Sequence, residues 1–217
     1  HDVVTRQFSF RHYQEDLHLG LLIILLTLFF YFFVISQEGF ANVFFAIISS
    51  ISTSGITTYS SNFDMSLFFI LLAIVGGSVI STSSGFKYTR IYILLKISYQ
   101  EIYRLVKPIN VIDKNLYNPE AKIDDDDVKI AFLVFLFFII SIFILSSILT
   151  LDNLTFENSF KLSILTLTNT VSSALYGMDN LSFFDLKNFT KMSLILFMIL
   201  GKIEIIAVIY LIKRFIF

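Results

Sequence analysis

Residues 40–58 read FANVFFAIISSISTSGITT, and residues 156–174 read FENSFKLSILTLTNTVSSA. A shift of 116 residues lays one stretch on the other without a gap: Phe40 meets Phe156, Asn42 meets Asn158, Phe44 meets Phe160, Ile48 meets Ile164, Ser50 meets Thr166 and Ile51 meets Leu167. Each stretch opens with 12 residues, 40–51 and 156–167, that are apolar or amphipathic. At about 1.5 Å per residue that is too short to cross a hydrocarbon layer of about 30 Å, and it suits a half-helix that enters a membrane and turns back. Small polar residues come next at the same place in both copies, Ser52-Thr53-Ser54-Gly55 and Thr168-Asn169-Thr170-Val171.

Composition supports a membrane setting. Hydrophobic residues make up 56% of the 217, and only 15% are charged, against about 25% charged in a soluble domain. Mean hydropathy is +0.79. Phe occurs 26 times and Cys not at all, which excludes a disordered chain, a disulfide scaffold and cysteine-ligated metal chemistry. A net charge of -1 gives no bulk attraction to nucleic acid. No catalytic triad, nucleophile elbow or phosphate loop is present, so neither an enzyme nor a nucleotide-binding fold is expected in this chain.

Working outward from the paired half-helices, 19–35 and 128–151 are uncharged or nearly so and long enough to span, with Asp127 as the expected N-cap of the second. A signal peptide is the alternative for the first, but no small-residue cleavage site comes after it. Two apolar runs, 67–75 and 86–95, are each too short to span. Between them lies Gly76-Gly77-Ser78-Val79-Ile80-Ser81-Thr82-Ser83-Ser84-Gly85, so the pair predicts one crossing broken in its middle. Irregular backbone at that depth survives only where protein or a water-filled cavity satisfies it. The last span, about 191–213, carries Lys202 inside it, and an intramembrane charge marks a functional site by default.

These elements define an all-α membrane protein of two parallel repeats, each a spanning helix, a re-entrant half-helix and a second spanning helix, giving four crossings and two half-helices. The expected divisions are a cytoplasmic segment 1–18, a module 19–107, a cytoplasmic linker 108–127 and a module 128–217. With both termini inside, only Lys161, Lys187 and Lys191 lie outside and most of the 16 basic residues face the cytoplasm, as the positive-inside rule requires. The run Asp124 to Asp127 could suggest a divalent cation site. A solvated linker ending in a helix cap is the plainer reading.

The layout is that of a pore. A half-helix aiming its C-terminal end at the membrane centre presents the negative end of its dipole to a cation. The polar turn beyond it can replace hydration water with carbonyl and hydroxyl oxygens.

Three motifs resemble the cation-translocating subunit, of TrkH/KtrB type, in the Trk/Ktr/HKT potassium transporter superfamily. AIISSISTSGITT, residues 46–58, is similar to the family's third filter loop, with Gly55 as filter glycine. GGSVISTSSGFK, residues 76–87, resembles the family's intramembrane gate, and MILGKIE, residues 198–204, resembles the Gly-Arg-Leu-Glu stretch of its last inner helix. The resemblance implies a selectivity filter of Ser52, Thr53, Ser54, Gly55, Thr168, Asn169, Thr170 and Val171, with potassium, the transported substrate, at the carbonyls of Thr53, Ser54, Asn169 and Thr170. It implies a gate at Gly76, Gly77, Ser78, Ser81, Thr82, Ser83, Ser84 and Gly85, and a pore-facing charge at Lys202. It further implies a bacterial inner-membrane location, a homodimer, and a cytosolic nucleotide-binding regulatory subunit of RCK/KTN type docking on the basic surface around Lys87 to Lys107. Nucleotide would come only through that partner.

Family members carry four such modules, so this chain is expected to hold the third and fourth, the C-terminal half. A two-module protein that dimerises is the alternative. Val171 stands where the fourth filter glycine belongs, which relaxes the expectation of strict potassium selectivity, and Lys202 keeps the charge of the family's arginine without its planar fork. A sodium-permeable pore or a secondary transporter of a small solute is the other reading. Many solute transporters use inverted repeats, whereas this repeat is parallel.

Overall fold

A computed structural model describes residues 14–33, 39–56, 65–79, 81–106, 123–152, 154–178 and 183–202. Seven α-helices lie in these segments: α1 Gln14–Phe33, α2 Phe40–Ile51, α3 Ser66–Val75, α4 Tyr88–Val106, α5 Asp125–Thr150, α6 Phe156–Leu167 and α7 Asn188–Lys202. No strand occurs among the described residues, so the fold is all-helical as expected.

The short helices α2 and α6 start and stop 116 residues apart, and both end without glycine. Ser52 caps α2 with its N–H on the carbonyls of Ile48 and Ser50, while Thr168 caps α6 with its N–H on those of Ile164 and Thr166. The repeat in sequence is therefore a repeat in hydrogen bonding. α6 also has a side-chain cap, Thr155, which accepts from the Asn158 N–H.

α1 and α5 are the two described helices long and apolar enough to cross a membrane on their own. Their exposed side chains include Phe32, Phe33, Phe132 and Phe143, a surface suited to lipid. α5 begins before the Val128 start anticipated from sequence. Asp124 is the N-cap and Asp127 is the third helical residue of a capping box, its carboxylate 3.3 Å from the Asp124 N–H. Asp127 is therefore not the cap, because the reciprocal bond of a capping box needs a carboxylate one turn inside the helix.

The segment after the first half-helix is broken as anticipated. α3 stops at Gly76, whose φ of 67° is cheap only for glycine, and α4 resumes at Tyr88. The loop leaves and returns through a narrow neck, with the Phe86 N–H on the Ile74 carbonyl (2.9 Å) and the Tyr88 N–H on the Gly77 carbonyl (3.0 Å). α7 reaches Lys202, the last described residue, so the rest of that span, together with Glu204, lies outside the described residues. So do Thr57 and Thr58 of the first turn and most of the 1–18 and 108–127 segments.

Each half-helix packs between the helices before and after it in its own copy, α2 on α1 and α3, α6 on α5 and α7. The copies join through α3 on α6 and α4 on α5. Ile47, Phe69, Leu145, Leu149, Leu165 and Tyr176 form the fully buried centre. Since lipid tails are as apolar as these side chains, close packing and internal polar bonds hold such helices together more than burial does.

Candidate functional site

The two polar turns meet. A Cβ added to Gly55 would run into the Val171 carbonyl oxygen and lie 2.8 Å from Thr170 Cγ2, so the two backbones touch where the sequence repeat placed equivalent residues. Within each turn the bonding again obeys the shift of 116. The Ser54 N–H bonds the Ser49 carbonyl (3.0 Å) and the Thr170 N–H bonds that of Leu165 (2.9 Å). The Ser50 hydroxyl bonds the Ala46 carbonyl and the Thr166 hydroxyl that of Leu162. Thr53 and Asn169 both adopt left-handed backbone, at φ 55° and 51°.

Thr53, Gly55, Thr168 and Thr170 are buried, Ser54 and Asn169 are half-buried, and Ser52 and Val171 are exposed. The copies part at their last position, because Gly55 has φ 68° whereas Val171 is not among the left-handed residues and is 59% exposed. A β-branched side chain resists that conformation, so the second turn opens where the first continues to curl.

Beneath the turns the broken loop folds onto itself. The Lys87 ammonium bonds the carbonyls of Ser81 (2.7 Å) and Ser83, the Ser81 hydroxyl bonds the Ser83 hydroxyl (2.6 Å), and the Gly77 N–H bonds the Ser83 hydroxyl (3.0 Å). Gly76 and Gly85 close the neck: a Cβ at Gly85 would lie 2.9 Å from the Ala73 carbonyl oxygen and 3.2 Å from Gly76 Cα. Three other elements hold the loop. Glu15 of α1 accepts the Val79 N–H (3.0 Å), Thr53 Oγ1 accepts the Ser84 N–H (3.2 Å), and Lys202 of α7 donates to the Thr82 carbonyl (2.7 Å).

A cavity of about 250 Å³ lies at the loop, lined by residues 81–87 with Arg90, Val134, Phe138, Leu167, Gly201 and Lys202. Every gate residue anticipated from sequence belongs to this loop or its neck, and Lys202 reaches it from the other copy. Lys87 corrects the sequence reading. It is 6% exposed and spent on the loop's own carbonyls, so it cannot serve a docking surface. The sequence reading also misses Glu15 and Tyr176. The Tyr176 hydroxyl, fully buried after the second turn, reaches the Ser50 hydroxyl of the first half-helix at 3.4 Å.

Known proteins resemble this chain in sequence profile and in fold. The sequence profile of the TrkH family, described as a cation transport protein, matches residues 61–215. The crystal structure of the potassium transporter TrkH from Vibrio parahaemolyticus superposes with a TM-score of 0.77 at 21% sequence identity, a likeness of fold. The match covers 91% of this chain and 43% of that chain, so the chain spans less than half the length of that transporter. No curated protein matches the chain in sequence.

Proposed function

The chain belongs to the TrkH family of cation transport proteins, and on that premise we propose that it supplies two pore modules to a membrane pathway for potassium uptake. The observation that carries the proposal is the meeting of two turns, Ser52 to Gly55 and Thr168 to Val171, each at the C-terminal end of a half-helix and alike in their bonding up to the last residue. Helix C-termini carry partial negative charge, and oxygens of both turns at one place offer a cation a substitute for its water shell. Potassium at the carbonyls of Thr53, Ser54, Asn169 and Thr170 is part of this reading. The cation is cargo, and the reading requires no cofactor in this chain.

The loop 76–85 acts as the gate in this scheme. It occupies the space beneath the turns, and Lys202 both bonds it and places a positive charge beside the path of the ion. The complete pore has four modules, works as a homodimer in the bacterial inner membrane with both termini cytoplasmic, and answers to a cytosolic nucleotide-binding subunit. One observation favours sodium permeability alongside potassium: Val171 departs from the geometry of Gly55, which leaves the ring of oxygens asymmetric.

The test is rubidium uptake by the intact protein in cells lacking their own potassium uptake. The expected result is uptake that potassium competes, increased in Lys202→Leu because the loop loses the bond to Thr82. No uptake by protein present in the membrane would overturn the transport reading, and an unchanged rate in Lys202→Leu would overturn the role of Lys202.

A further inference from the structure

Thr53 and Asn169 occupy the same place in the two turns, and both hold left-handed backbone. Asn tolerates that conformation, whereas a β-branched Thr there is an outlier that persists only where its surroundings fix it. Both residues are fixed by their side chains, and each is fixed to the inner helix of its own copy. Asn169 Nδ2 donates to the Met198 carbonyl (2.9 Å), which sits within the continuous helix α7. Thr53 Oγ1 accepts the Ser84 N–H (3.2 Å), which sits in the broken loop. The bond is buried at both ends, and the Ser84 hydroxyl, also buried, has no partner among the described atoms. The backbone N–H is thus the polar contact by which Ser84 holds the turn.

We infer that Thr53 and Asn169 are positioning residues that set the carbonyl directions of the two turns, and that the Thr53–Ser84 bond couples ion selection to the position of the loop. The inference rests on reading the turns as an ion filter. When the loop departs, Thr53 loses the contact that stabilises its left-handed backbone. The peptide groups on either side of it then relax toward an ordinary conformation, and their carbonyl oxygens turn with them. Asn169 has no such freedom, because its partner lies in an intact helix. Selectivity is therefore lower when the loop is displaced, and the change enters through the first copy.

The experiment compares potassium and sodium permeability of the intact protein in proteoliposomes. Thr53→Val keeps the shape and removes the acceptor, and its potassium preference falls about fivefold, the weight of one neutral hydrogen bond. Thr53→Ser, which keeps the hydroxyl, restores the preference. Lys202→Leu, which loosens the loop, lowers the preference in the presence of Thr53 and has no further effect in Thr53→Val, a non-additivity that a merely structural role would not produce. If Thr53→Val does not accumulate, Thr53→Ala reads the same loss. An unchanged preference in the hydroxyl-free variant, or additive effects of the two substitutions, overturns the coupling. A wild type that conducts but prefers no ion overturns the filter reading itself, whereas a selective wild type beside an unaltered Thr53→Val overturns only the tether.

Discussion

Residues 14–106 and 123–202 are two versions of one design, and they differ in the element beyond the half-helix. The second copy continues as the unbroken helix α7, with Gly201 seated against the end of α6 so closely that a Cβ would run into the Leu167 carbonyl oxygen. The first copy breaks, and Gly85, its counterpart at the shift of 116, lies at the neck of a loop with φ 90°. The same residue type thus does two jobs: Gly201 permits contact between helices, and Gly85 permits a backbone turn. An unbroken helix leaves its copy little room to rearrange, whereas a loop held by Glu15, Thr53, Lys87 and Lys202 can be released by losing a few side-chain bonds.

Substituting the two glycines is expected to separate the behaviour of the two copies most strongly. Gly201→Ala drives a side-chain carbon into backbone that has nowhere to go. It is expected to cost at least about 2 kcal/mol, to separate α7 from α6, and to abolish uptake with a lowered melting temperature in detergent. Gly85→Ala meets a contact of 2.9 Å and a left-handed backbone worth about 1–2 kcal/mol. It strains the neck while leaving α6 and α7 in place, so the expected outcome is a protein that inserts and conducts but closes poorly. Equal losses of uptake in the two variants would contradict the division of roles.

Val171→Gly is expected to make the two turns more alike. Restoring the residue found at position 55 lets the second turn adopt the curl of the first. The expected result is a several-fold rise in potassium over sodium preference with little change in stability, measured by the same permeability assay. A preference that does not move would mean that the asymmetry at this position is not felt by the ion.

Much of this is legible in the sequence because it depends on local pattern. The bounds of α2 and α6 come from 12-residue apolar runs, the repeat from matched residues, and the break from glycine and serine between two runs too short to span. The tethers are not legible. Ser84 to Thr53 and Lys202 to Thr82 are bonds to groups 31 and 120 residues away, and each has a backbone N–H or carbonyl at one end, which carries no sequence signature. Lys87 misleads for a related reason: a lysine beside Arg90 and Lys96 reads as a solvated basic face, and only the fold reveals that loop carbonyls have replaced its water. The start of α5 escapes the sequence because four consecutive aspartates offer several possible caps, and which of them closes the reciprocal bond is a matter of geometry.

The smallest expected effect concerns the place in the second copy where α5 ends and α7 begins. Asp152, just beyond α5 and with a side chain only 5% exposed, accepts the Lys187 N–H (2.8 Å) and pairs with its ammonium (3.1 Å), joining the end of α5 to the start of α7. The Lys187 backbone bond, with further help from the Lys187 and Thr190 side chains, holds the carboxyl below its usual value of 3.8. A carboxyl whose folded value is depressed stabilises fully above its unfolded value and loses that contribution as pH falls through the folded one. The clamp should therefore be intact at neutral pH and weaken only in acid below about pH 4. Asp152→Asn retains an oxygen for the Lys187 N–H and removes the charge. The wild type should therefore melt slightly higher than the variant at neutral pH, and the gap should close as the carboxylate takes up its proton in acid. Parallel acid profiles would show that the carboxylate does not hold α7.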